Sequence, residues 1–529
     1  MRRLPPGAWH QPFNVYISRS SGSGQRSGKG AIEGALMDGT GVKTTESGDS
    51  TRAVGLVIGA LLVALSVLML VPVLAEVVAR SGDWQAFLSS AVITGFVGGG
   101  LMFSNQTERR ELTHRATFLV TTLGWLGIAA FSALPFAFSH VDLNYTDAFF
   151  EAMSGVTTTG ATVMAGLDHM TPGLLLWRSL LQWVGGIGII VTAVAILPFL
   201  RVGGMQLFRT ESTDKTEKVL PRPGQIAVAI GEVYLVLTLL CALAYVLGGM
   251  TPFDALNHAM TTVSTGGYST HDASFGYFDN AFIHWTAVIF MISGALPLAL
   301  YVQTLRGTGE TLWSDPQVRG FLTLLGVVSL LMALWLLVKG NHGIFDALTL
   351  AAFNVTSIVS TAGFVSSDYT LWGPFSVMAF FILMFIGGCT GSTSGGMKIF
   401  RLQILGLLFR GQMRQTLYPH VAQRMRYGER TVSREVIFSV ALFVFVYLAS
   451  MVAVALALAA FGLDFTTAIS AAVSSIANVG PGLGQHVGPA GTFAHLPDGP
   501  KLILAFAMLL GRLELLTVLV MFSRDYWER

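Results

Sequence analysis

Ten apolar runs decide what this chain can fold into. They lie near residues 54–79, 86–103, 116–138, 174–200, 225–248, 281–304, 320–338, 374–402, 435–461 and 500–523. A helix that crosses a bilayer needs about 20 mostly apolar residues, and the runs are of that order. Only 12% of the residues are charged against 52% hydrophobic, too little charge to cover so much apolar surface in water. Four shorter, more polar stretches lie among the runs, at 146–157, 253–264, 345–360 and 465–477. Each is too short to span. Backbone at membrane depth must be satisfied internally, so such a stretch can enter and return only where protein surrounds it. The expectation is an all-α integral membrane fold with ten spanning and four re-entrant helices.

Charge gives the orientation. With the N-terminus in the cytosol and each short stretch returning to its own side, the cytosolic segments collect Arg109, Arg110 and Arg115; Arg201, Arg209, Lys215, Lys218 and Arg222; Arg306 and Arg319; and the basic residues from Lys398 to Arg434. The outer loops keep little beyond Arg80, Lys339 and Lys501. This is the positive-inside asymmetry, and it places both termini in the cytosol. Residues 1–53 are rich in Gly and Ser (Ser20-Ser21-Gly22-Ser23-Gly24), so they read as a disordered cytosolic tail, not a signal peptide. Cys241 and Cys389 sit in apolar runs and read as small core residues; no disulfide framework or zinc spacing can be built from two. Metal motifs, nucleophile elbows and nucleotide fingerprints are missing from the sequence, which argues against an enzyme. No nucleic-acid partner is expected.

The segments that follow the short stretches align with one another. They read Thr157-Thr158-Thr159-Gly160-Ala161, Ser264-Thr265-Gly266-Gly267-Tyr268, Ser360-Thr361-Ala362-Gly363-Phe364 and Ala477-Asn478-Val479-Gly480-Pro481. An alanine (Ala148, Ala255, Ala351, Ala468) stands twelve residues before each aligned glycine. A repeat of roughly 100 residues, each with helix, short helix, glycine and helix, is a membrane repeat architecture. We therefore divide the chain into two extra helices over 54–104 and four repeats over 105–224, 225–319, 320–434 and 435–529. A cation leaves water only where something replaces its hydration shell, and rings of backbone carbonyls do this. Turning carbonyls inward needs backbone angles that a Cβ resists and glycine permits. Gly160, Gly267, Gly363 and Gly480 close one such ring, with Thr158, Thr159, Thr265, Gly266, Thr361, Ala362, Asn478 and Val479 in its wall. The short helices turn their negative C-terminal dipole ends toward the cavity. One Thr-Gly pair alone would read as a helix-packing device; four at matching places read as a filter for a monovalent cation, held by backbone carbonyls.

These filter segments, the run Trp177-Arg178-Ser179-Leu180-Leu181-Gln182-Trp183-Val184-Gly185-Gly186-Ile187-Gly188, the run from Ile386 to Lys398, and Gly511-Arg512-Leu513-Glu514 together resemble the membrane subunit of Trk-type potassium uptake systems, within the Trk/Ktr/HKT superfamily. The resemblance extends from about residue 54 to the C-terminus, and the two leading helices are similar to the Trk branch. It implies potassium as the transported ion and a bacterial cytoplasmic (inner) membrane location. It also implies a homodimer and a cytosolic nucleotide-binding regulatory subunit, so that ATP, ADP or NAD acts only through that partner. No covalent cofactor is implied. In the plant branch a serine at the first filter glycine goes with sodium preference; Gly160 favours potassium. The third segment reads Ser-Thr-Ala-Gly where Thr-Thr-Thr-Gly is more usual, and the fourth has Asn478 for threonine; both departures bear on fine selectivity and keep the glycine ring.

The run 374–402 contains Gly387, Gly388, Gly391, Ser392, Thr393, Ser394, Gly395 and Gly396. Each glycine costs a helix about 1 kcal/mol relative to alanine, so the expectation is a broken helix with a loop under the filter, acting as a plug. A nucleotide P-loop is the competing reading, and it fails because no Gly-Lys-Ser/Thr follows. Arg512 lies in a spanning run, where an arginine costs at least ~2.5 kcal/mol unless paired or hydrated. It either snorkels to the interface or bonds loop carbonyls and repels cations while the pore is closed; Glu514 is a candidate partner for it, although residues two apart face differently on a helix. Arg178 either pairs with Asp147 or Glu151 or acts at the mouth. The basic loop with Arg410, Arg414, Arg424, Arg426, Arg430 and Arg434 follows the positive-inside rule alone or docks a regulator. Sodium permeation, or symport with protons or sodium, stands as the alternative; the candidates for a proton relay are His258 and Glu232.

Overall fold

The structure, a computed structural model, describes residues 41–106, 113–196, 223–307, 312–340, 342–420, 425–428 and 430–528. Residues 1–40 of the expected tail lie outside the described residues, as do Arg109, Arg110, Arg201, Arg209, Lys215, Lys218, Arg222 and Arg424. The chain divides into a unit of residues 1–48 and a body, Asp49–Arg529. Of the first unit only the opening of the helix Gly41–Leu68 is described. Residues 41–53, read from the sequence as tail, belong to this helix. No proline interrupts residues 41–53, and adding residues to an existing helix is far cheaper than starting one.

Among the described residues, seven helices are long and apolar enough to cross a membrane: Thr51–Ala79, Trp84–Ser104, Arg115–Phe138, Pro172–Thr192, Gly224–Leu247, Pro316–Lys339 and Arg434–Ala460. The other three expected spans are interrupted. Helices Ala281–Ala295 and Leu298–Leu305 meet at 90° across Leu296 and Pro297. Proline holds the residue before it in extended backbone, and Leu296 lies there, at φ −85° and ψ 157°. Helices Asp498–Arg512 and Leu516–Phe522 meet at 106°, with Glu514 at φ 58° and Leu515 at φ 41° between them. The run 374–402 is helical as Pro374–Leu383 and again from Ile399. Ten continuous spans thus become seven continuous and three broken, because mean hydropathy averages across a bend. The breaks fall in the closing helix of the second, third and fourth repeats. The closing helix of the first, Pro172–Ile196, is unbroken over its described residues.

The four semi-polar stretches are short buried helices, Tyr145–Val156, Pro252–Val263, Ile344–Val359 and Phe465–Ala477. Asn144, Thr251 and Asp464 cap three of them, accepting from the backbone N–H of Asp147, Asp254 and Thr467. The third has 16 residues against 12, 12 and 13 in the others and starts at Gly343 without a side-chain cap. Apolar side chains of the first and fourth repeats share one core with the leading helices; the third and fourth share a second. The leading helices are tied to the first repeat by two carboxylates. Buried Glu76 accepts from Gly173 N at 2.6 Å, and Asp83 accepts from His140 N at 3.0 Å and Thr171 Oγ1 at 2.9 Å. Both sit where the closing helix of that repeat begins, the end that attracts negative charge.

Candidate ion path

All four short helices end in the same turn. One residue enters the left-handed region: Thr158 at φ 53°, Thr265 at 51°, Thr361 at 59° and Asn478 at 54°. Its N–H bonds back three residues, and the next N–H bonds back five: Thr159 to Ser154 O and Gly266 to Thr261 O at 2.8 Å, Ala362 to Ser357 O at 2.8 Å and Val479 to Ser474 O at 2.9 Å. Two residues after the left-handed one comes the aligned glycine, again at positive φ: 84°, 85°, 78° and 105° for Gly160, Gly267, Gly363 and Gly480. Asparagine tolerates the left-handed region; threonine, β-branched, does not. Three such threonines each cost about 1–3 kcal/mol and persist only where their surroundings hold them.

The glycines close a ring in chain order. A Cβ on Gly160 would overlap the Gly266 carbonyl, one on Gly267 the Ala362 carbonyl, one on Gly363 the Val479 carbonyl, and one on Gly480 would stand 2.7 Å from the Thr159 carbonyl. Each repeat thus abuts the next, and the fourth returns to the first. The carbonyls just before the glycines press against a neighbouring glycine, and Gly266 O also accepts from Gln182 Nε2 at 2.6 Å. Gln182 Oε1 accepts in return from Tyr268 N at 3.0 Å. Gln182 lies inside a motif the sequence singled out, but nothing in the sequence gave it this role.

Beneath the ring lies the Gly387–Gly396 loop. Ile386–Gly387 pairs in parallel with Met397–Lys398 and draws the ends of the loop together. Thr393 Oγ1, with one proton to donate, has Val263 O at 3.1 Å and Gly294 O at 3.0 Å as acceptors and lies 3.2 Å from Thr265 Oγ1. Ser394 Oγ donates to Ser360 O at 2.7 Å, and Gly395 N to Thr361 Oγ1 at 2.6 Å. A Cβ on Gly395 would meet Asn478 Cβ at 2.9 Å. Cys389 N reaches Ala295 O at 2.9 Å, and Leu298 N reaches Gly391 O at 3.0 Å. The loop therefore touches the turns that follow the second, third and fourth short helices and zips onto the bend between Ala295 and Leu298.

Buried Arg512 donates to the carbonyl of Thr393 at 2.8 Å and to that of Gly185 at 3.2 Å. The bond to a loop carbonyl is the one expected, and the arginine does not snorkel. Glu514 is not its partner: it pairs with Arg401 at 2.6 Å, the guanidinium lying 3.8 Å over the Phe443 ring. Arg178 pairs with Glu151 at 2.9 Å, donates to Ser269 O at 2.8 Å and stands 4.1 Å over Tyr268, so it links the segments that carry Gly160 and Gly267. Asp147 instead takes Lys501 at 2.5 Å. Lys501, assigned to an outer loop by sequence, is buried in the helix Asp498–Arg512. His258 is buried between Asp254 O at 2.9 Å and Ser269 Oγ at 3.0 Å; Glu232 is exposed on its helix. Cys241 and Cys389 are free and buried.

Against known proteins, the family model for TrkH, a cation transport protein, matches residues 83–529. The Trk system potassium uptake protein TrkI of Halomonas elongata is 44% identical over 477 residues, 89% of this chain and 96% of that protein. The Trk system potassium uptake protein TrkH of Escherichia coli K12 is 37% identical over 485 residues, 90% of this chain and 99% of that protein. The crystal structure of the potassium transporter TrkH from Vibrio parahaemolyticus aligns with a TM-score of 0.84 at 36% identity, over 90% of this chain and 100% of that one.

Proposed function

Because the chain belongs to the TrkH family of cation transport proteins, we propose that it is the translocating subunit of a Trk-type potassium uptake system in the cytoplasmic membrane. The observation that carries this reading is the ring of Gly160, Gly267, Gly363 and Gly480, in which each glycine faces the backbone of the next repeat. In this reading the carbonyls of the filter segments replace the water around potassium. Gly266 O and Gly480 O accept from Gln182 Nε2 and Ser474 Oγ. The carbonyls of Thr158, Thr159, Gly160, Thr265, Gly267, Thr361, Ala362, Gly363, Asn478 and Val479 have no hydrogen-bond donor among the described residues, so they are the ones we assign to the ion. The negative ends of four buried helices face the same place and favour a cation there.

Arg512 and the Gly387–Gly396 loop form the gate. The loop lies under three filter turns, and the guanidinium fixed to Thr393 O puts a positive charge below the ring. Away from water, screening is weak, and such a charge opposes a passing cation strongly. Flux then requires the loop and the arginine to part. The helix Ile399–Leu417, which leaves the loop and ends among the exposed Arg410 and Arg414, is the lever we assign to a cytosolic nucleotide-binding partner. Both termini are placed in the cytosol, and the transporter works as a homodimer. Ions move down their electrochemical gradient; proton coupling would need a titratable group on the path, and His258 is already engaged from both ring nitrogens.

The test is growth. In a bacterium lacking its own potassium uptake systems, expression of this chain with a Trk regulatory subunit restores growth on limiting potassium and not on limiting sodium. Restoration by sodium alone contradicts the reading.

A further inference from the structure

We propose that Glu151, His258 and Asn354 are positioning residues for selectivity. Each stands nine residues before a filter glycine and holds the outgoing limb of its own filter turn from the pore helix. The inference rests on the filter reading above. Its basis is a shared placement that the sequence conceals, because the three side chains share no chemistry. Glu151 accepts from Thr162 Oγ1 at 3.0 Å and from Val163 N at 2.9 Å. His258 Nε2 meets Ser269 Oγ at 3.0 Å. Asn354 Nδ2 donates to Ser366 Oγ at 2.8 Å. Thr162 and Ser269 lie two residues after their glycines, Val163 and Ser366 three. The fourth repeat has Ala471 at this place, and the adjacent Ser470 takes over, accepting from Leu483 N at 2.9 Å, also three residues past the glycine. All four side chains are fully buried.

A filter turn is a short span of backbone between two fixed points. The end of the pore helix fixes the incoming side through the bonds three and five residues back. The outgoing side has no regular structure, and this brace holds it, joined in the second repeat by Gln182 on Tyr268 N and Arg178 on Ser269 O. Discrimination between potassium and the smaller sodium depends on where the carbonyls are held and how freely they move, so a brace lost on one side loosens the ring. His258 fits this role as a neutral ring. Its Nδ1 faces the carbonyl of Asp254, which can only accept, so Nδ1 carries the proton and Nε2 accepts from the Ser269 hydroxyl. Phe275 and Phe278 pack edge-on against the ring, and His271 stacks 6.4 Å away.

The experiment measures rubidium uptake against competing sodium in proteoliposomes, using the full chain. His258→Ala and Asn354→Ala each lower the preference for rubidium by about three- to tenfold, the size of one lost hydrogen bond. His258→Asn, which imports the residue of the third repeat, keeps most of it. Ser269→Ala removes only the hydroxyl that His258 meets, and combined with His258→Ala it adds little further loss. Loss of folded protein lowers total uptake but leaves the ratio alone, so the ratio separates positioning from stability. If His258→Ala yields no protein, Asn354→Ala and Ser269→Ala carry the test. Gly267→Ser is the companion arm. A relaxed ratio in Gly267→Ser with wild-type ratios in the brace variants overturns this inference and leaves the filter reading in place. Wild-type ratios in every variant overturn both.

Discussion

The turns we assign to the filter and the loop we assign to the gate both place irregular backbone among buried helices, and they satisfy it differently. Each filter turn bonds to the helix that leads into it, and the pattern recurs four times. The gate loop occurs once and leans on distant parts of the chain: Val263, Gly294 and Ala295, Ser360 and Thr361, Gln317, and Arg512. A turn anchored first on its own helix keeps most of its shape while its neighbours move. A structure held by its neighbours is released when one of them moves. On this account the filter sets which ion passes and the loop sets whether it passes, and variants in the two regions should separate along that line.

The largest effect is expected at the ring. Gly267→Ala puts a Cβ into the Ala362 carbonyl at a φ of 85°. Rubidium flux per molecule should fall at least about tenfold, since left-handed backbone alone costs an ordinary residue 1–2 kcal/mol. Arg512→Gln comes next and runs the other way. It removes the charge and weakens the hold on Thr393 O, and flux should rise by about tenfold, a barrier change of some 1.4 kcal/mol. A fall at normal protein yield would make Arg512 a structural anchor instead.

Smaller effects test how the gate is held. The strained elbow at Glu514 and Leu515 fixes Arg512 on one side and, through Glu514, Arg401 on the other. Glu514→Gln loosens one of these two holds, so flux should rise by about threefold, with sodium competition unchanged. Combined with Arg512→Gln it should add less than its own effect, because both act through one elbow. The smallest effect is expected at the outer clasp, where Asp168 meets His271 at 2.5 Å. The hydrogen bond from His271 holds the Asp168 carboxyl below the usual carboxylate range. Its ionised form is therefore favoured in the fold, and that contribution is present above the ordinary carboxylate pKa and lost only as pH falls through the lowered value. Between pH 6 and 8, Asp168→Asn should change rubidium uptake by less than about twofold, as is common for an ion pair partly open to water. A larger change would bring the clasp into the selective region.

Much of this was legible in the sequence, for identifiable reasons. Spans announce themselves because lipid demands long apolar runs, and the glycines stand out because each of the four turns needs positive φ at the same place. The breaks were less visible. Pro297 was a signal for the first and the glycine cluster for the second, but Glu514 and Leu515 carry no breaker residue, and only the bend itself reveals the third. The braces were hidden for another reason. A carboxylate, an imidazole and an amide can each bond a loop, so selection for the contact leaves no common letter at positions 151, 258 and 354. Burial was also misjudged where a charge lies near a helix end: Lys501 looks exposed in sequence and is buried against Asp147.

The central claim is that selectivity and flux are set by different regions, and one measurement addresses it directly. Rubidium flux per molecule, in proteoliposomes with and without competing sodium, is compared between Gly160→Ser and Arg512→Gln. The account predicts that Gly160→Ser makes sodium a stronger competitor without raising flux, and that Arg512→Gln raises flux while sodium competes as it does in the parent protein. Gly160→Ser with unchanged competition, or Arg512→Gln with altered competition and no gain in flux, would contradict it.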